Sequence, residues 1–195
     1  MRKRWFLVLA FLVGCATAPS NLENVPLVWM PEKHPRASTG AASEDFLKTK
    51  LRIPPMKDLR ENPKVIGENR EKTPPRPVTT STDVAAFVTD QFKVLVTGAG
   101  LTVVDSVENA IINGEIQKFF VTETEDYVGN VTLHIVATDT AGKTLWDGVA
   151  SGESSRVGRS YRADNYYQSL SDALTVATSH LLQDSGFQAA VAGKR

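Results

Sequence analysis

Three stretches of alternating apolar and polar residues constrain the fold most: AIINGEIQKFFVTETE (110–125), NVTLHIVATDT (130–140) and KTLWDGVASGESS (143–155). A period of two sends successive side chains to opposite faces, so each stretch reads as a half-buried strand. Between the second and third, DTAGK (139–143) supplies the residues of a hairpin turn. Together with LTVVDS (101–106) before them, they read as consecutive strands of an antiparallel meander.

Helical periods flank the meander. Ser81, Thr82 and Asp83 are N-cap types, and Val84, Phe87, Val88, Phe92 and Leu95 share one helical face before Gly98 and Gly100. From Asp164 the period returns: Tyr166, Leu170, Ala173, Leu174, Ala177 and Leu181 form a stripe ending near Ser185-Gly186, with a short turn expected in the tail FQAAVAGKR. Earlier in the chain, VPLVWM (25–30) reads as a first strand stopped by Pro31, and EKHPRASTGAASEDF (32–46) as a loop. LKTKLRI (47–53) reads as a second strand, stopped by Pro54-Pro55. The Pro-rich segment from about 58 to 80 is expected to be an irregular excursion with one ordered piece at Lys64–Gly67 and its charges in solvent. The predicted fold is α+β: a mixed, largely antiparallel sheet with two helices packed on one face, in a single domain whose other sheet face is partly open.

The first residues carry a different signal. Met1–Arg4 is basic, Trp5–Val13 is apolar, and Gly14 precedes Cys15, the only cysteine among 195 residues. Nine apolar residues are about half of what spans a bilayer, which points to a signal-peptide core. Leu12-Val13-Gly14-Cys15 resembles the bacterial lipobox, in which the thiol is acylated and cleavage leaves the cysteine first. The expected division is a signal peptide at 1–14, a lipidated tether at 15–24 and the α+β domain at 25–195. Removing Arg2, Lys3 and Arg4 leaves 19 basic against 22 acidic residues. That net negative charge supplies no electrostatic reason to bind nucleic acid. A lone cysteine forms neither an intramolecular disulfide nor a cysteine-based zinc cluster.

Other chemistry is weakly signalled. GAG at Gly98–Gly100 follows a helix, whereas a dinucleotide loop follows a strand and opens a helix. His34, His134 and His180 have no metal-ligand spacing, and no metal or cofactor is expected. SGESS (151–155) lacks the order of a nucleophile elbow. Glu123, Glu125 and Asp126 read as solvated acids at a hairpin, and the NVT at Asn130 as a sequon that a bacterial lipoprotein does not use. No catalytic residue is assigned. The stretch SSRVGRSYRADNYY (154–167) is the candidate contact surface, with Arg156, Arg159, Tyr161 and Arg162 as its contact residues, because Arg and Tyr carry binding energy at interfaces. The competing reading has Tyr166 anchoring the last helix while the arginines line a solvated loop.

The chain resembles the YajG-like group of small bacterial lipoproteins. The resemblance rests on the lipobox at Cys15 and on LRIPPMKDLRENPKVIGEN, with Asp58, Arg60 and Ile66-Gly67. It is further carried by INGEIQKFFV and by GKTLWDGVASGESSRVGRS followed by NYYQSLSDALTVATSHLL. It implies an envelope lipoprotein with a sheet-and-helix domain of the kind found in outer-membrane assembly accessories, and implies no known reaction. Ala16 after the cysteine implies, by the same resemblance, the outer membrane, here on its periplasmic face. The expected function is a non-catalytic binding or assembly module, fastened to the membrane through Cys15 and partnered by an envelope protein. A carrier of a lipid or cell-wall fragment on the open sheet face is the alternative.

Overall fold

The computed structural model describes residues 22–193 apart from residue 72. Along the chain run α1 (Glu44–Leu47), β1 (Lys50–Arg52), β2 (Lys57–Asp58), β3 (Val65–Asn69), β4 (Arg76–Thr79), α2 (Val84–Gly98) and β5 (Thr102–Val103). Then come β6 (Ala110–Glu123), β7 (Asp126–Thr138), β8 (Thr144–Val157), α3 (Ala163–Gln183) and α4 (Ser185–Val191). The fold is α+β, a mixed sheet of eight strands with its two long helices on one face.

The last three strands of the meander form as expected, but LTVVDS does not join them: its strand β5 is two residues long and pairs in parallel with β1. β6, β7 and β8 pair antiparallel in register from Ile111–Thr138 and Glu123–Tyr127 through Asp126–Val157. On the far side of β6 the short strands β1, β2 and β3 pair with it in parallel, β5 extends β1, and β4 closes the other edge antiparallel to β3. Alternation sorts the faces. Ile112, Ile116, Phe119 and Val121 of β6 and Tyr127, Val131, Leu133 and Ile135 of β7 are buried beneath the helices. Each such side chain contributes on the order of 1.5–3 kcal/mol when fully buried. The opposite face carries Thr132, His134, Asn113, Lys118, Ser151 and Glu153, a mixture of polar and charged groups, with Val149 exposed among them.

Helix α2 starts where Asp83 accepts a hydrogen bond from the Ala86 N–H at 3.0 Å, and it covers the β1, β2 and β5 side of the sheet. Helix α3 covers β7 and β8. It lies closest over small residues, Gly152 and Ser154 of β8 and Gly129 of β7. A Cβ at Gly152 would sit 2.1 Å from the Ala173 carbonyl oxygen and 2.3 Å from the Ala177 nitrogen. Only glycine admits that approach. Ser154 seals the contact by donating to the Ser169 carbonyl at 2.7 Å. β8 is also an edge strand, and His180 and the Lys33 ammonium donate to its carbonyls at Ser151 and Ser155, which blunts it against further pairing.

Several further expectations change. The expected loop at 32–46 ends in helix α1, so Leu47 is helical and the second strand runs over Lys50–Arg52 and not 47–53. VPLVWM is not a strand: beyond one bridge between Val25 and Thr80, the segment is a strap whose N–H groups bond to side chains. The Leu27 N–H reaches Thr82 Oγ1 at 2.8 Å and the Met30 N–H reaches Ser171 Oγ at 3.0 Å. The buried Asp172 carboxylate then accepts from the N–H groups of Glu32, Lys33 and His34 at 2.9–3.1 Å. Pro26 and Pro31 lack ladder donors, and α3 offers acceptors instead.

The described residues of the excursion at 58–80 are ordered and include the β3–β4 pair. Arg60 organises it, with its guanidinium forked onto Asp58 at 2.6 and 2.8 Å and donating to the carbonyls of Pro63, Val65 and Phe119. Both side chains of that pair are largely buried, not solvated. The tail, expected as a turn, is the seven-residue helix α4, whose Phe187 packs edge-on against Trp146 and Phe46.

Gly152→Ala is expected to lower stability by about 3 kcal/mol, because the helix cannot yield its backbone. Gly98→Ala, at the end of α2 with nothing near its Cβ, is expected to be neutral or stabilising. Urea unfolding of the two variants beside the parent checks both.

Candidate functional site

The segment after β8 turns sharply back to enter α3, and Tyr161 takes the strain of that turn. Its backbone is left-handed, with φ of 42°, a conformation costing on the order of 1 kcal/mol that persists only where the surroundings hold it. They hold it from both ends. The Tyr161 N–H donates to Glu123 Oε1 at 2.9 Å, and its hydroxyl accepts from the Leu22 N–H at 3.1 Å. The Arg76 guanidinium stacks over its ring, 5.3 Å from the centroid.

Glu123 corrects the reading of a solvated acid. It is the last inward position of β6, in parity with Phe119 and Val121, and is 0% exposed. Its other oxygen accepts from the Tyr166 hydroxyl at 2.7 Å. Burial, then the hydrogen bond and charge of Glu123, push the Tyr166 hydroxyl far above the ordinary tyrosine range, so it stays a donor at every physiological pH. Tyr127 packs edge-on against Tyr166 and accepts from the Ser160 N–H at 3.1 Å.

The four candidate contact residues thus gather at one end of the sheet but differ in role. Tyr161 is a pin. Arg156 is ion-paired with Glu32 of the strap, Arg159 with Glu125 and, at 3.7 Å, Glu71, and Arg162 with Asp164 at 2.8 Å. Tyr166 and Tyr167 are buried, and Tyr166 anchors α3 as the competing reading held. Leu22, Arg76 and Glu123 belong to the same site and carried no signal of it in the sequence, apart from the parity of Glu123. Cys15, the signal segment and the start of the tether lie outside the described residues.

On the open face His134 stands between two carboxylates. Its Nδ1 lies 3.1 Å from Glu115 Oε2 and its Nε2 2.7 Å from Asp147 Oδ1. A neutral imidazole has one N–H, so only the imidazolium donates to both. The hydrogen bonds to Asp147 and Glu115, which outweigh desolvation, raise its pKa above 6.5. Among the described residues no group of three or more His, Cys, Asp or Glu is placed to hold a metal ion. At the opposite end of the sheet, a recess of about 490 Å³ between Asp45, Lys48, Asp139 and Ala190–Gly193 has no serine, cysteine or histidine in its lining.

No protein-family model and no curated protein matches the sequence. Among solved structures the fold is shared with a Xanthomonas campestris protein of the DUF330 family, at TM-score 0.57 and 9% identity over 75% of this chain and 88% of that one. Lipoprotein GNA1162 of Neisseria meningitidis aligns at TM-score 0.35 and 12% identity, over 55% and 83% of the two chains. A Caulobacter crescentus protein described as a lipoprotein aligns at 0.39 and 9%, over 72% and 92%. The structural neighbours therefore include bacterial proteins described as lipoproteins, and the DUF330 protein shows the fold.

Glu123→Ala is expected to destabilise by about 3 kcal/mol, because it leaves the Tyr166 hydroxyl and the Tyr161 N–H without an acceptor; thermal unfolding measures it. His134 gives a pH signature. Its pKa is raised on folding, so its contribution is fully present below the unfolded value and is lost as pH rises through the folded one. The stability gap between the parent and His134→Gln is expected to be widest below the ordinary histidine pKa and to narrow as pH rises above it, read from urea midpoints on both sides of neutrality.

Proposed function

We propose that this chain is a lipid-anchored protein of the bacterial envelope, on the periplasmic face of the outer membrane. It is a non-catalytic module that meets an envelope component through the end bearing Arg156, Arg159, Tyr161 and Arg162. The anchor is the acylated Cys15, and the kinship with YajG-like lipoproteins belongs to the same proposal. Several acyl chains on one residue exceed the marginal membrane binding of a single chain.

One observation carries this reading beyond the lipobox. Leu22, seven positions after Cys15, is hydrogen-bonded to Tyr161, so the tether joins the domain at the end where the candidate contact residues lie. Anchoring confines that end to a thin layer and raises its effective concentration toward anything in the same membrane. No helix among the described residues is long and apolar enough to cross a membrane, and the acyl chains serve instead.

Cys15→Ser is expected to abolish labelling by radioactive palmitate and to release the protein from the membrane fraction. Unchanged labelling and partitioning would overturn the anchor.

A further inference from the structure

We infer that the Tyr161 end of the domain rests on the headgroups of the anchoring membrane, and that its partner there is zwitterionic phospholipid. The inference depends on the Cys15 anchor proposed above and names what the contact residues meet.

Reach is the first argument. Six residues separate Cys15 from Leu22, a span of at most about 25 Å between the two Cα atoms. The 14 residues of β6 extend about 45 Å, so the tether is shorter than the sheet it holds. The second argument is the entry point. The Leu22 carbonyl accepts from the Thr79 N–H at 3.0 Å, and the Val25 N–H donates to the Thr79 carbonyl at 3.0 Å. At the bridge to Thr80 the strap runs parallel to β4, so Leu22 lies toward the Arg76 end of that strand. That side holds Arg159, Arg162 and the Glu125 turn, whereas the Asp139–Lys143 turn lies at the other end of β7.

The third argument is chemical match. The side chains of Arg159 and Arg162 are 56% and 67% exposed, in surface ion pairs that contribute little and exchange readily. Guanidinium binds phosphate by paired hydrogen bonds. Glu125 and Asp164 stand beside these arginines, so the rim alternates in sign. Such a rim complements headgroups that carry both a phosphate and an ammonium, and a uniformly anionic surface would repel half of it. Tyr161, half-buried as the pin of the turn, is of the amphipathic type found at membrane interfaces, and Val157, 86% exposed at the end of β8, adds apolar contact at the same end of the sheet.

The test uses the full acylated protein in phosphatidylcholine vesicles that contain a headgroup-linked quencher. A fluorophore is attached through Val157→Cys at the near end or through Ala141→Cys at the far end. Quenching of the Val157 probe with little at Ala141 is expected, and adding Arg159→Glu with Arg162→Glu should remove at least half of it while the protein stays membrane-bound. Equal quenching of the two probes, or near-end quenching that the double variant leaves intact, overturns the inference. So does a photo-crosslinker at Val157 that in cell membranes yields a discrete protein adduct and no lipid adduct. Loss of membrane binding by Cys15→Ser alone tests the anchor, so failure of the anchor and failure of the headgroup contact read out separately.

Discussion

Helix α3 lies on β8 with backbone nearly against backbone, and the rest of the structure depends on that approach. The contact is possible because the sheet presents small residues inward at Gly129, Gly152 and Ser154, while α3 answers with Ser169, Ala173 and Ala177. Close approach multiplies dispersion contacts that larger side chains would hold apart. It also places Asp172 and Ser171 on the outer side of the helix, where they collect the N–H groups of the strap. The strap therefore needs no strand partner. Its polar backbone is satisfied by the helix that the sheet has already positioned.

A second network closes the near end. Glu123 is a buried carboxylate held by two donors, the Tyr166 hydroxyl and the Tyr161 N–H. One acceptor thus joins β6, the start of α3 and the left-handed turn at Tyr161, and through the Tyr161 hydroxyl it reaches Leu22. A buried acid commonly invites a catalytic reading. Here its partners are a phenol kept protonated by burial and a backbone amide, an arrangement suited to holding a turn. The surrounding arginines are engaged by carboxylates within the chain and remain exposed enough to exchange partners.

Much of this architecture was legible in the chain. The last three strands of the meander and the stripe from Tyr166 to Leu181 follow from local periodicity, which a sheet face or a helix face imposes directly, and the cap of α2 is one of the three residues, Ser81 to Asp83, whose type marks a helix start. The segments that misled are those whose order comes from distant side chains. VPLVWM is β-prone, yet Asp172 and Thr82 satisfy it. The stretch from 58 to 80 looks irregular because its organiser is a single arginine, Arg60, gathering carbonyls from β3, β6 and the loop before β3. Of the site, Tyr161 and the arginines were visible by residue type, and Leu22 and Arg76 were not, because nothing local links them to residue 161.

The sequence by itself determined the strand and helix periods, the α+β class and the single cysteine in its lipobox setting, since each is written in neighbouring residues. Tertiary structure alone decided that Glu123 is buried while Glu125 is exposed, that the strap is a ligand of α3, and that the chain enters beside Tyr161. The physical reason is that burial, hydrogen-bond satisfaction and the place of chain entry are set by contacts between residues from 34 to 141 positions apart, which no local pattern encodes.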